Sequence, residues 1–560
     1  MNAGQLAAKL GNGVRVMAMH RNVLVLLCLV ALEIITFGRS IRQVGFYLDD
    51  WSMLNRLSSG PQQLFAMMHN YFLQDPKVTI RPVQVIYQAI LFSIFQLNPL
   101  GYHLFNATLE VICATLLYFC LKRISGSAGL GYVAAALFLV YPVHDSSHYW
   151  VLCHAVNLSL ALYLGSLWFA IKWAERGCKK FLLAMFVCFA VSIFNYETML
   201  PLSALTAVAV WSVSGSKQKS AFAFLLHAFA VAALVVYQRK LVPMFGLAWY
   251  HKAEFDPLLM FRTVSEGFAL TSPPSVVSFS LIQSAKVLNE LRLADYLALT
   301  AVAAITALGV LITTARIDER QIRGGKMVGI GVLVILAAFS IFGLNSEYAP
   351  TLVTLVNRIN TGAAIGWAII AASAVVFTTT KAPRWRPVVA AVAGLSAAFF
   401  ATTDWSMAQP WVVSWKMQHR IMQIAQANSP QFAAKRPVLL LNCPRYVMWA
   451  PVFDGVWDFQ SMLQLATKND SLQGNVVSER LKVTPTGLAD MSGGYECGRY
   501  SFDQLQVLEP PHGDLITVTS AEQFVALVEP TCGRFGPSKE VLQEWRQSLI
   551  STKPRGGVLQ

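Results

Sequence analysis

Charge is what this sequence has least of. Only 13% of its 560 residues are Asp, Glu, Lys or Arg, against roughly a quarter in soluble domains. With 55% hydrophobic residues and a mean hydropathy of +0.49, that shortage excludes an ordinary soluble fold. It predicts an α-helical polytopic membrane protein. Acids are scarcer than bases, 30 against 44, and the net charge is +14. The basic surplus does not call for nucleic acid, because it lies in short loops between apolar runs, where Lys and Arg set topology. The nine cysteines contain no C-x-x-C pair, which argues against a zinc or redox centre. Cys28, Cys113, Cys120, Cys153, Cys178 and Cys188 lie in or beside apolar runs, as packing residues do. Cys443, Cys497 and Cys532 fall in a hydrophilic tail, where Cys497 and Cys532 make a candidate disulfide pair. Internal repeats, low-complexity tracts and paired halves are all missing, and the last of these weighs against a transporter.

What is present is a series of apolar runs, near residues 22–38, 102–121, 128–143, 151–171, 181–195, 198–213, 220–242, 294–314, 327–344, 361–379 and 387–402. Each is close to the length that crosses a bilayer, so about eleven transmembrane helices are expected. Alternate loops are basic: "LKRISGS", "KWAERGCKK", "SGSKQKS", "ARIDERQIRGGK" and "TTTKAPRWRP". The positive-inside rule then places the N-terminus in the cytoplasm and the C-terminus outside. It does so only if residues 80–97 form an interfacial or re-entrant helix rather than a span. The expected organisation is a transmembrane domain over 1–402, with residues 39–100 as its first external loop. An external α/β or mixed domain over 403–560 follows, tied to the last span by a helix near 405–427. "RPVLLLNCP" reads as a buried strand, with "DLITVTS" and "EQFVALV" as further short elements. The 243–293 segment reads as a long external loop.

This topology collects the polar residues on one face. "FYLDDWSML" puts Asp49 and Asp50 in the first external loop, with Arg81, His144, Asp145, His148, Glu197, Glu347 and Arg358 at external helix ends. Each has a bland reading beside the functional one. Asp50 suits the cap of a helix starting at Trp51, and Arg81 before Pro82 suits a headgroup anchor or a phosphate ligand. His144 and His148, at i and i+4 around Asp145, have the spacing of a divalent-metal site, although histidines in such a loop are more often solvated. No cofactor is otherwise implied. Glu197 lies between two apolar spans, where an acid needs a partner or a use. Arg358 suits a snorkelling anchor or a ligand contact.

The order of "LDD", "RPVQVIYQAILFSIFQLNPLGYHLFNATLE", "ALFLVYPVHDSSHYW" and "FNYETMLPL" resembles the GT-C superfamily of membrane glycosyltransferases. The nearest resemblance is to the protein O-mannosyltransferases, especially those with tetratricopeptide repeats, and to their bacterial relatives. It covers roughly residues 22–215 and weakens toward 402. It implies a transferase of the bacterial inner membrane that takes a sugar from a polyprenyl-phosphate donor on the external face. The acceptor would be a glycan, lipid or protein. Asp49 or Asp50 would be the catalytic base, and Arg81 would contact the carrier phosphate. The chain departs from the family pattern at Tyr141, where His is frequent, and at Tyr196, where Lys is frequent. An oligosaccharide polymerase or ligase, or a lipid-linked sugar flippase, is the rival class.

Overall fold

The computed structural model describes residues 3–246, 256–315, 324–345, 347–432, 436–492, 496–528, 541–545 and 547. Among them, eight helices are long and apolar enough to cross a membrane: Met19–Thr36, Pro99–Ser125, Val151–Arg176, Lys217–Met244, Leu293–Thr314, Gly325–Leu344, Leu355–Lys381 and Pro383–Gln431. Three expected spans fall short of that length. Ala128–Val140 has 13 residues, about 20 Å at 1.5 Å per residue, against a hydrocarbon core of about 30 Å. Lys179–Asn195 has 17 residues. The 198–213 run is divided between a 3₁₀ segment, Glu197–Leu202, which contains Pro201, and the helix Ser203–Ser214. Proline lacks the N–H needed to continue an α-helix there, and hydropathy alone does not register the break. The Pro82–Phe95 helix, inside the segment read as non-spanning, has 14 residues.

Helix ends follow their local sequence. Asn98 accepts the Leu100 N–H, and Pro99 occupies the first turn of the 27-residue helix Pro99–Ser125. That helix stops at Gly126, where φ is 75°, a left-handed conformation that glycine takes without strain. Ser127 then caps Ala128–Val140 by accepting from Leu130. The 243–293 segment is not a loop: it holds the helices Pro257–Leu270 and Pro273–Val287.

One helix joins the two parts of the molecule. Arg386–Asn428 runs for 43 residues, about 65 Å, so half its length suffices for the bilayer. It continues unbroken past the expected junction at 402, because its second half has its own packing partners. The first loop lies along it: the Tyr47 hydroxyl donates to the Trp411 carbonyl (2.7 Å), and the Trp51 indole donates to Gln418 (2.6 Å). At Gly45 the backbone presses so closely on Trp415 that a Cβ would sit 1.9 Å from the indole.

The C-terminal part builds a four-stranded sheet in the order Gln473–Val476, Pro437–Leu440, Leu505–Glu509, Asp514–Val518. The first two pairings are parallel and the last antiparallel. The helix Val456–Thr467 connects the two parallel strands Pro437–Leu440 and Gln473–Val476, and a three-stranded antiparallel sheet follows. "RPVLLLNCP" is the fully buried strand Pro437–Leu440 and "DLITVTS" is an edge strand, whereas "EQFVALV" is helical, within Ala521–Val528. Cys443 is buried and Cys497 exposed; Cys532 lies outside the described residues.

Candidate functional site

The first loop folds into three helices, Asp49–Ser58, Leu64–Gln74 and Pro82–Phe95, with a single turn at Pro76–Thr79. Together with the 150–156 turn, Tyr196, Arg358 and Trp457 they line an open cleft holding about 820 Å³ of empty space, mouth included. The adjacent acids divide there. Asp49 is half-buried and faces the cleft, and among the described residues its carboxylate has no hydrogen bond or ion pair. Asp50 is fully buried.

Asp50 does not act as a cap for a helix starting at Trp51. Its carboxylate instead accepts three backbone N–H groups: Tyr47 (2.9 Å), Leu152 (2.8 Å) and Val151 (3.3 Å). Burial lifts its pKa well above the ordinary carboxylate range, against the pull of those three donors. Its evident work is to fasten the 150–153 turn, which carries Trp150, Leu152 and Cys153 into the cleft wall, to the start of the Asp49 helix.

The three arginines of the cleft differ in their partners. Arg56 is paired with Asp75. Arg81 grips Glu197 with both arms of its fork, Nε to Oε2 at 2.9 Å and Nη2 to Oε1 at 2.6 Å. Its guanidinium also lies 4.2 Å from the centre of the Tyr196 ring. Burial disfavours the Arg81 cation, but Glu197 together with Tyr196 and Tyr348 more than offsets this and the pKa rises. Arg358 lies over Trp150 and Tyr348, at 5.2 and 5.6 Å, and its Nη1 donates to the Leu355 carbonyl. Among the described residues no carboxylate pairs with it. Of the described cleft cations, Arg358 is therefore the one whose charge is least neutralised.

The 144–148 group does not reach the cleft and is not solvated. His144, Asp145 and His148 are all buried. Asp145 accepts the Trp411 indole N–H at 2.8 Å and an N–H of Asn357, and Asn357 in turn accepts from the Ser146 backbone and hydroxyl. His148 stacks on Phe37 at 3.9 Å. Its Nδ1 lies 2.7 Å from Glu110, and burial draws its pKa down to about 3. Burial likewise takes His144 well below the ordinary value. The segment is packed down by aromatic and amide partners from three distant helices, which displaces the water a loop histidine would otherwise meet. Among the described residues no three His, Cys, Asp or Glu side chains group as metal ligands. Glu197 enters the site as the partner of Arg81, and Glu347 is not among the cleft-lining residues.

Sequence reasoning missed Trp150, Trp457, Arg56 and Asp75 in the cleft, and Glu110, Asn357 and Trp411 around the 145–148 segment. No spacing signal marks them, since each is brought in by tertiary packing.

No family model matches the chain. Among curated proteins, protein O-mannosyl-transferase TMTC1 of Mus musculus is 27% identical over 151 residues, 25% of this chain and 16% of that protein. The chain is similar to a protein O-mannosyl-transferase. The match spans about one sixth of that relative's length, and it falls in the family that the loop motifs resemble. Two solved structures of ArnT from Cupriavidus metallidurans also align. The one bound to undecaprenyl phosphate is 11% identical at a TM-score of 0.35, over 80% of this chain and 85% of that one. The apo structure is 12% identical at a TM-score of 0.34, over 89% and 93%.

Proposed function

We propose that the chain is a membrane glycosyltransferase of the GT-C kind. It moves a sugar from a polyprenyl-phosphate donor to a hydroxyl acceptor on a glycan, lipid or protein. The observation that carries the reading is that, among the described residues, the Asp49 carboxylate is unpaired in the same cleft as Arg358, a cation without a carboxylate partner.

A sugar phosphate has a good leaving group, so the reaction needs a base for the acceptor proton and a cation for the departing phosphate. Asp49 takes the acceptor hydroxyl proton as that oxygen attacks the anomeric carbon. The bond from the anomeric carbon to the phosphate oxygen breaks, and the electron pair leaves with the phosphate. Arg358 stabilises that charge. Arg81 adds to the field from beside Tyr196, with its fork engaged by Glu197. Asp50 holds the wall in register, and Asp145 and His148 hold the segment below it. The reading places the cleft on the external face of a bacterial inner membrane, with the N-terminus in the cytoplasm and the C-terminal domain in the periplasm.

Two measurements test the reading. Lipid-linked sugars and surface glycans of a deletion strain, compared with its parent, should show a donor that accumulates and a glycan that loses one residue. A reporter fused after Gly126 should read as cytoplasmic. Unchanged glycans and lipids would overturn the transferase reading, and a periplasmic signal after Gly126 would overturn the orientation.

A further inference from the structure

The cleft belongs to the membrane part except at one point. Among the described residues that line it, Trp457 alone comes from the C-terminal domain. It is the second residue of the helix Val456–Thr467, which packs on the Asp49–Ser58 helix through Asn55 donating to Gln464 at 2.6 Å. Asp49 and Trp457 thus stand at the N-terminal ends of two helices in contact.

Trp457 is also firmly held. Asp458 is fully buried and accepts the backbone N–H groups of Asp454 (2.7 Å), Gly455 (3.0 Å) and Phe459 (2.8 Å), which fixes the first turn. A Cβ at Gly455 would meet the Trp457 ring at 2.9 Å, so the preceding backbone lies directly against the indole. The Arg480 guanidinium sits 5.7 Å from the ring centre, and Arg480 is itself tied to Asp454 at 3.2 Å. The ring is nevertheless only half-buried.

A rigid, half-exposed indole in the same cleft as a carboxylate that has no partner among the described residues is not what a phosphate requires. It suits a ligand with an apolar face and a polar rim. A pyranose ring is such a ligand: its C–H face lies on the indole and its hydroxyls turn to Ser52 and to the Arg56–Asp75 pair, which line the same cleft. An extended peptide would instead seek an open strand edge for its backbone, and the cleft is walled by helices and turns.

We propose that Trp457 is the platform of an acceptor subsite and that the acceptor is a carbohydrate, presented ring-face down beside Asp49. This rests on the transferase reading. It assigns the C-terminal domain a direct part in choosing the acceptor and leaves donor binding to the membrane part.

The test uses the full chain in nanodiscs. Saturation-transfer NMR is recorded with methyl glycosides of mannose, glucose, galactose and N-acetylglucosamine, and with a Ser/Thr-containing peptide. Polyprenyl phosphate alone is followed separately by thermal shift. At least one glycoside should show saturation transfer that falls about tenfold in Trp457→Ala and stays within about twofold in Trp457→Phe. Both variants should keep the parental melting temperature and the parental shift with polyprenyl phosphate. Glycoside signals that are absent from the parent, or undiminished in Trp457→Ala, overturn the proposal. So does a peptide signal that alone depends on Trp457. Absence of any shift with polyprenyl phosphate would count against the transferase reading itself, independently of the glycoside result.

Discussion

Replacing Asp49 and Asp50 separately by Asn should produce two different lesions, and the hydrogen bonds indicate how different. In Asp50 one oxygen accepts from Tyr47 and Val151 and the other from Leu152. Asn retains only one acceptor oxygen. Kept on the Tyr47–Val151 side, it loses the Leu152 bond and turns an N–H₂ group toward the Leu152 N–H in a fully buried setting. A hydrogen bond to a charged group contributes about 1.5–3 kcal/mol, and the stranded donor adds about 1–3 kcal/mol. Asp50→Asn should therefore destabilise the fold by about 2.5–6 kcal/mol, more than the loss of a helix cap. Asp49 has no such partners, so Asp49→Asn should stay within about 0.5 kcal/mol of the parent. It removes the proton acceptor, however, and transfer should fall by about 10²–10⁴-fold. The assay pairs equilibrium unfolding in mixed micelles with single-turnover transfer from a polyprenyl-phosphate sugar. An Asp50→Asn protein of parental stability, or an Asp49→Asn protein of parental activity, would refute the division of roles.

Arg358→Ala should raise the donor KM at least tenfold and Arg358→Lys should recover only part of it, since Lys lacks the planar fork; equal KM in all three proteins would return Arg358 to a structural role. Arg81→Ala should lower the melting temperature through loss of the Glu197 pair, with a smaller rise in donor KM than Arg358→Ala, and the reverse order would make Arg81 the phosphate ligand. Burial raises Asp145 to about 6 against the Trp411 and Asn357 hydrogen bonds that pull it down. Its folded value thus lies above the ordinary carboxylate value, so its contribution to stability is full below about 4 and is lost as pH rises through about 6. The unfolding midpoint should fall between about pH 4 and 6.5, and Asp145→Asn should flatten that slope; an unaltered slope in the variant would assign the pH dependence elsewhere.

The membrane class was legible because burial in lipid leaves a compositional mark on every span, and "RPVLLLNCP" was legible as a strand because its apolar run is bounded by prolines. Hydropathy could not separate spans from the short helices around Glu197–Leu202, since a 3₁₀ segment holding Pro201 is as apolar as its neighbours. For the site, the sequence delivered the polar inventory but not the pairing. Arg81, Arg56 and Arg358 look alike in a string of letters, and only the fold shows that Glu197 and Asp75 hold two of them. His144 and His148 misled for the same reason. Their local sequence is that of a solvated loop, and the residues that hold the segment down, Glu110 on His148 and Asn357 and Trp411 on Asp145, lie on other segments. Trp457 was out of reach altogether: the contact that brings its helix to the Asp49 helix joins residues 409 positions apart.

The side-by-side aspartates solve a problem that a single acid would not. A general base must be free to take a proton, yet it must also be held to within about 0.5 Å of its productive position. Hydrogen bonds to its own carboxylate would fix it but would lower its basicity by favouring the charged form. Asp49 is left without such bonds, so its position has to come from the backbone. Asp50 supplies it, because three N–H groups from two segments converge on one buried carboxylate and pin the first turn of the helix on which Asp49 stands. Separating the two acids by even one residue would turn the second by about 100° around the helix axis, away from the 150–153 turn. Adjacency is therefore a geometric requirement: the anchored carboxylate faces the protein while its neighbour faces the cleft.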